Sequence, residues 1–371
     1  MQSLRVYDEL TAARTRFLRL DELCRRAAEK GVLPSPEELA AEARLPLKEK
    51  KGLEKKQGEF LADILANPVA GTHLCHAMLL PRADSRERLK QYEQKGELEL
   101  NGAHLKRHGK ASVLTMRNPK YLNAEDETTL DGMEIATDVA LLDPQTEVCV
   151  LRGDAVTHAK YAGKRIFGAG INLTHLYEGK IRYLWYLIRD LGFVNKFYRG
   201  LASEASSPEL ASTEKLWIAA VEGFAIGGHC QILLTMDYTI AAADAYLTLP
   251  ARKEGIIPGA ANLRLPRFVG DRIARQAILA ERRIDCASPE GRMICDEVVP
   301  SERMEQAIAS IVEKLTSAGV VSAAGNRRAF RAGEEPLDTF RRYMAIYARE
   351  QAQCHFSPAL IANLEKNWKK R

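Results

Sequence analysis

The sequence predicts an α/β fold entered through an all-helical segment, and three observations carry that expectation. Residues 1–95 place apolar side chains three and four positions apart, at Leu4, Tyr7 and Leu10 and again at Phe17, Leu18, Leu20 and Leu23, which is helical spacing. From Glu97 the texture changes to short apolar runs alternating with helical periodicity, the order strand, helix, strand. Two glycine-rich junctions, Gly168-Ala169-Gly170 and Gly227-Gly228, each stand at the start of a helical stretch. Glycines there let the backbone approach a bound group, and the free N–H groups of a first helical turn point at it with the positive end of the helix dipole behind them.

Taken in order, the N-terminal segment restarts a helix at Pro34-Ser35-Pro36-Glu37, and 46-PLKEKKGLEKKQGEF-60 reads as a solvated charged stretch. His73 and His76 stand three apart, but no carboxylate accompanies them, so a packed pair is expected rather than a metal site. Residues 97–118 read as a hairpin turning at Gly109, residues 119–143 as a turn into an amphipathic helix, and residues 146–154 as a strand stopped by glycine. An aromatic helix is expected over 181–201, either core or the wall of a pocket for a flat ring. The run Trp217–Val221, a second run Phe224–Ile226 and the segment Cys230–Met236 read as strand, strand and helix; 250–270 reads as a loop with an apolar centre. From about 271 onward the chain is helical and amphipathic, interrupted by 282–302. The expected organisation is a helical domain over 1–95 and a catalytic domain over 96–371.

Composition narrows the function. The 371 residues hold 54 Lys+Arg against 49 Asp+Glu, a net +5 spread along the chain with no basic stripe, which disfavours nucleic-acid binding and suits a small polyanionic ligand. Seven cysteines are scattered without a C-x-x-C pair, as in a reduced cytoplasmic protein, and no apolar run has the length of a signal core or a membrane span. None of the eight histidines is followed two residues later by an acid, the opening expected of a non-haem iron site, so no metal is expected.

The junctions carry the chemistry. Ile171 and Gly228 lie 57 residues apart, and two backbone N–H groups converging on one carbonyl oxygen form an oxyanion hole. A lone G-x-G would mean little, and the third glycine of a dinucleotide fingerprint is missing.

These pieces together resemble the crotonase (enoyl-CoA hydratase/isomerase) superfamily. The matching blocks run over residues 97–310: Pro119 to Ala124 (P-x-x-x-N-A), Gly153, Phe167-x-Ala169-Gly170-Ile171-x-Leu173, Val221-x-Gly223-x-Ala225-x-Gly227-Gly228, Ile257-Pro258-Gly259-Ala260, and 283-RIDCASPEGRMICDEVVP-300. The resemblance implies a spiral of ββα units with C-terminal helices for oligomerisation, a trimer or hexamer, and an acyl-CoA substrate whose thioester oxygen is held by the N–H groups of Ile171 and Gly228. Hydratases of the family carry a glutamate three residues beyond the second oxyanion glycine and another seven before the proline of I-P-G-A. This chain has Gln231 and Ala251 in those places, and hydration needs an acid and a base.

The replacements, the phrase 161-YAGKRIFGAGINLTHLY-177 and the helical extension resemble instead the superfamily's cofactor-independent dioxygenases of 3,5-dihydroxyphenylacetyl-CoA in glycopeptide-antibiotic biosynthesis. That implies O2 and the thioester as reactants and no organic cofactor. Glu125, Arg189 and Gln231 are expected at the ring or intermediate, with Gly170, Gly227, Ile171, Ala251, Ile256, Ile257, Pro258 and Gly259 around the substrate and oxygen. Arg117, Lys120, Lys164 and Arg165 are candidates for the CoA phosphates and adenine. His229 follows the oxyanion glycine in a tight turn and is expected to point away from the chemistry, and His175 to be structural. A thioesterase, an isomerase or a non-catalytic acyl-CoA-binding subunit are the rival readings.

Overall fold

The computed structural model describes residues 2–367. Among these residues ten strands form two sheets. β1 (Glu97–Leu100), β2 (Ala103–His108) and β3 (Ala111–Met116) meander antiparallel, and β4 (Val148–Gly153), β5 (Leu216–Val221) and β7 (Tyr238–Ala242) continue in parallel, with β10 (Glu297–Val299) at the edge. The order is β1-β2-β3-β4-β5-β7-β10. β6 (Phe224–Ile226), β8 (Tyr246–Thr248) and β9 (Ile284–Asp285) form a small second sheet. β4 and β5 are almost wholly buried, as strands of a parallel sheet covered on both faces must be.

Three of the expected elements need correction. The stretch 97–118 is three strands, not one hairpin, because Asn101-Gly102 makes a second tight turn; Gly102 has φ +77°, and a Cβ there would lie 2.5 Å from the Thr129 backbone. The aromatic helix is two, Tyr183–Leu191 and Phe193–Arg199, broken at Gly192, whose position leaves a side chain only 2.4 Å from the Ile188 carbonyl. The loop expected over 250–270 contains a short helix, Ala251–Glu254, and the first half of a long one, Ala261–Leu279, which tolerates Pro266 and leaves the helical path at Gly270.

The N-terminal helices follow their signals. Ser35 and Glu38 form a capping box before the helix Pro36–Ala43, and Asn67 caps Pro68–Leu79. The charged stretch 46–60 is less solvated than expected: Glu54 is buried, and Lys50 Nζ donates to the Gly179 carbonyl at 2.6 Å. His73 stacks on Phe17 with its Nδ1 2.6 Å from the Tyr7 hydroxyl, while His76 meets the Ser203 carbonyl at 2.8 Å. The apolar residues of these helices and of the sheet form one continuous core.

A buried ionic network pins the helices to that core. Lys196 Nζ lies 2.8 Å from Glu134 and 2.6 Å from Asp138, all three without solvent exposure of their side chains. Arg19 donates to both Glu134 oxygens at 2.7 Å, and Ser85 Oγ and the Arg82 N–H donate to Asp138 at 2.7 Å. Burial alone would push the Glu134 carboxyl up, but Lys196 and Arg19 hold it below the usual carboxylate range. Removing one member strands the others. Lys196→Met is expected to destabilise the fold by about 3–5 kcal/mol, read as a lower denaturation midpoint, whereas an unchanged midpoint would show the network to be energetically idle.

Candidate functional site

The two glycine junctions meet side by side. Residues 168–172 run between Glu125 and β6: the Glu125 N–H donates to the Gly170 carbonyl at 2.7 Å, the Asn172 N–H to the Glu125 carbonyl at 2.8 Å, and the Ile226 N–H to the Gly168 carbonyl at 3.0 Å. In this parallel pairing the N–H of Ile171 faces away from Glu125, and among the described residues it has no acceptor. Gly227, at φ +55°, donates to the Thr248 carbonyl and turns the chain so that the Gly228 N–H is likewise left without one. The junctions are close enough that a Cβ on Gly170 would stand 2.8 Å from the Ile226 carbonyl and 3.4 Å from the Gly228 nitrogen. Two fixed, unspent donors in a buried cleft can receive an oxygen that gains charge.

Beside them Arg189 uses all five of its donors. Nε and Nη2 fork onto the two Glu125 oxygens at 2.8 Å each, Nη1 donates to Asp190 at 2.8 Å and to Gln231 Oε1, and Nη2 also reaches the Gly228 carbonyl at 2.9 Å. Gln231 completes the loop by donating from Nε2 to Asp190 at 2.8 Å. Burial opposes the charge on Arg189, but Glu125 and Asp190 raise its pKa above the ordinary arginine value. Glycine is required at 228 for this reason, since a Cβ would meet Glu125 Oε2 at 2.7 Å.

His229 points away from the cleft and under the first junction. Its Nδ1 accepts the Gly170 N–H at 2.9 Å and its Nε2 is buried without a partner; a Cβ on Gly168 would run into the ring. Burial lowers its pKa to about 4, so at neutral pH it is an uncharged prop for the junction. His175 is also structural, 2.9 Å from the capping residue Asp126.

Ile171, Gly227, Gly228, Gln231, Glu125, Arg189, Ala251, Ile256, Ile257, Pro258 and Gly259 all line one cleft; Gly170, expected there too, is not among its lining residues. The sequence reading missed five further lining residues: Trp185, Tyr186, Asp190, Tyr347 and Glu254. Trp185 and Tyr186 belong to the aromatic segment, which is therefore core on one side and pocket wall on the other. Tyr347 arrives on the helix Leu337–His355, which closes the site of its own chain: Gln351 accepts the Ile257 N–H at 2.9 Å, and the Tyr343 hydroxyl donates to the Gly259 carbonyl. Glu254 had a signal, standing one helical turn beyond Ala251. Burial raises its carboxyl to about 8.

The four cations proposed for CoA lie outside the cleft. Arg117 pairs with Asp154 at 2.7 Å and with Glu99, and Arg165 faces the same Asp154 at 3.8 Å. Lys120 and Lys164 are exposed and, among the described residues, have no carboxylate partner. No group of three His, Cys, Asp or Glu side chains is placed to hold a metal among the described residues, and no helix there is long and apolar enough to cross a membrane.

Residues 107–366 match the enoyl-CoA hydratase/isomerase family. The chain is 47% identical over 350 residues to the (3,5-dihydroxyphenyl)acetyl-CoA 1,2-dioxygenase of Amycolatopsis orientalis, a match covering 94% of this chain and 80% of that one. It is 29% identical to the short-chain-enoyl-CoA hydratase of Clostridium acetobutylicum, over 65% of this chain and 86% of the relative. Among solved structures, an enoyl-CoA hydratase from Mycobacterium avium subsp. paratuberculosis K-10 superposes with a TM-score of 0.60 at 20% identity, covering 74% of this chain and 98% of that one, a likeness of fold.

The neutral His229 makes the site acid-sensitive. A histidine whose folded pKa lies below its unfolded value near 6.5 contributes stability that is complete above the unfolded pKa and is lost as pH falls towards the folded one. Unfolding free energy should therefore drop between pH 6.5 and 4, with His229 supplying about 2–3 kcal/mol of the fall. A His229→Asn variant, which keeps an acceptor for Gly170, should show a shallower drop over that interval; an unaltered pH profile would remove His229 from this role.

Proposed function

The chain belongs to the enoyl-CoA hydratase/isomerase family, and from that premise we propose that it is a cofactor- and metal-independent dioxygenase of 3,5-dihydroxyphenylacetyl-CoA or a similar arylacetyl-CoA. The observation that carries the reading is the state of Gln231. The family's hydratases hold a carboxylate at this position, whereas here the side chain is a neutral amide with its oxygen spent on Arg189 and its nitrogen on Asp190. It has no proton to exchange with water. The 47% identical relative is named as a (3,5-dihydroxyphenyl)acetyl-CoA 1,2-dioxygenase, which supports the substrate and the dioxygenase part of the reading.

In this reading the thioester oxygen sits between the Ile171 and Gly228 N–H groups. Losing a proton from the α carbon places negative charge on that oxygen, and one fixed donor in a dry site contributes roughly 3 kcal/mol to such a charge. The aryl group lies towards Trp185 and Tyr186, with Glu125, Arg189 and Gln231 at its hydroxyls. O2 occupies the apolar corner of Ile171, Ala251, Ile256 and Ile257. The enolate passes electrons to O2, a peroxide forms at the α carbon and closes on the thioester carbonyl, and CoA thiolate leaves. The O–O bond then breaks as the second α hydrogen leaves as a proton. The balance is ArCH2–CO–SCoA plus O2 giving ArCO–COOH plus CoASH, with the α carbon losing the four electrons that O2 gains.

For the CoA phosphates Lys120 and Lys164, which have no carboxylate partner among the described residues, are freer than Arg117 and Arg165, which face Asp154 and Glu99. A homotrimer or hexamer is the assembly the family resemblance suggests, and the scattered, unpaired cysteines suit a reducing cytoplasmic setting.

Two measurements test this. Metal-stripped protein given 3,5-dihydroxyphenylacetyl-CoA should consume one O2 for each thiol released; thiol without O2 uptake would make it a thioesterase, and binding without either a carrier of acyl-CoA. Gln231→Glu should lower the oxygenation rate by roughly 100-fold or more, since it disrupts the group that positions the second donor. Unchanged turnover would sink the site assignment.

A further inference from the structure

The proton in the first step needs a destination, and most groups around the cleft are already committed. Both Glu125 oxygens are bound to Arg189, and Asp190 Oδ1 receives Arg189 and Gln231. His229 spends its Nδ1 on the Gly170 N–H. Burial pushes the Tyr186 and Tyr347 hydroxyls well above the usual phenol value, which leaves them protonated at neutral pH. Glu254 differs from all of these. It is buried, 5% exposed, and lines the cleft among Ala251, Ile256 and Ile257, yet among the described residues no hydrogen bond or ion pair reaches its carboxyl. Its Oε2 stands 3.9 Å from the point where a side chain on Gly227 would begin, next to the second N–H donor.

An unpaired buried carboxyl is costly to keep, and packing alone gives no reason for this one. We propose that Glu254 is the base that takes the α proton of the bound thioester. The α C–H bond breaks, its proton passes to the Glu254 carboxylate, and its electron pair becomes the enolate double bond while the carbonyl pair moves onto the oxygen between Ile171 and Gly228. No oxidant enters this step. The proposal rests on the arylacetyl-CoA reading only in taking the α carbon as the reacting atom. The surroundings suit a base. Burial raises the carboxyl to about 8, with Lys253 opposing the rise and Glu281 adding to it, so the ionised form is a far stronger base than a solvated glutamate and is still populated at neutral pH. The position is informative as well. Ala251 occupies the place of a family glutamate, and Glu254 presents a carboxyl to the cleft from one helical turn further on.

The test separates proton removal from oxygen chemistry. Under anaerobic conditions in D2O, wild-type protein should exchange the α hydrogens of 3,5-dihydroxyphenylacetyl-CoA for deuterium, read by loss of their NMR signal. Glu254→Gln should slow that exchange by roughly 100-fold or more, the size of one general-base contribution, with the affinity for the thioester little changed. Glu254→Asp should retain part of the activity and guards against a Gln variant that fails to fold. Because the native carboxyl is held above its unfolded pKa, it destabilises the fold as pH rises, so Glu254→Gln should melt no lower than the wild type at pH 8. Exchange by Glu254→Gln at the wild-type rate overturns the proposal. Wild-type exchange without O2 uptake in air overturns the oxygenase reading and leaves the base assignment standing.

Discussion

The site depends on one guanidinium. Arg189 has five N–H donors in a fixed plane and every one is taken, by Glu125, Asp190, Gln231 and the Gly228 carbonyl. Those partners come from the segment after β3, from the Arg189 helix itself and from the turn after β6, so a single side chain sets the relative position of three parts of the chain. Its hold on the Gly228 carbonyl matters most. That bond orients the backbone at the second junction, just as the His229 ring, by accepting the Gly170 N–H, orients the backbone at the first. The two free donors are thus aimed by groups that never need to touch the reacting oxygen.

Such a buried ionic cluster is weak evidence of stability, because desolvating a guanidinium and two carboxylates offsets much of their attraction. Its value is geometric. Arg189 sits on a helix whose other faces are packed, and the helices Lys55–Ala66 and Leu337–His355 cover the aromatic segment from outside through Tyr183, whose hydroxyl donates to the Ala348 carbonyl at 2.5 Å. The N-terminal helices therefore act as a buttress behind the cleft wall, locked to it by Arg19, Arg82 and Ser85, which donate to the Glu134 and Asp138 carboxylates that Lys196 also holds. Both networks tie distant stretches of chain together where apolar packing alone would permit sliding.

Much of this was legible in the sequence because it depends on backbone conformation. Gly170, Gly227 and Gly228 have to be glycine where a Cβ would strike backbone or a buried carboxylate, or where φ is positive, and such needs leave a fixed spacing in the sequence. Gln231 was legible by its distance from Gly228. The residues that escaped notice did so for different reasons. Tyr347 comes from a helix far down the chain from Gly259 and looks like any other apolar position of an amphipathic helix, so only tertiary packing reveals it. Glu254 lies in a stretch that reads as loop; once that stretch is a helical turn, the three-residue step from Ala251 puts both on one face. Asn101-Gly102 carried a strong turn signal that the expectation of a single hairpin at Gly109 overrode.

Asp190, also missed, explains the substitution that first separated this chain from a hydratase. At position 231 the side chain must accept from Arg189 and donate to Asp190 at the same time. An amide does both, whereas an ionised carboxylate has no donor to offer and would be the third negative group around one guanidinium, within hydrogen-bond distance of Asp190. It would have to take up a proton or push its neighbour away, and either outcome disturbs the arginine that holds the Gly228 carbonyl. With Gln231 in place the cluster carries one positive and two negative charges, so the enolate of the proposed reaction would gain little from net charge. Its stabilisation has to come from the two oriented N–H dipoles, which act over a short range on the one oxygen they face. For the proposed reaction, a site built this way favours a carbon acid whose α proton is already labile and leaves the resulting carbanion exposed to whatever small molecule fits the apolar corner beside it.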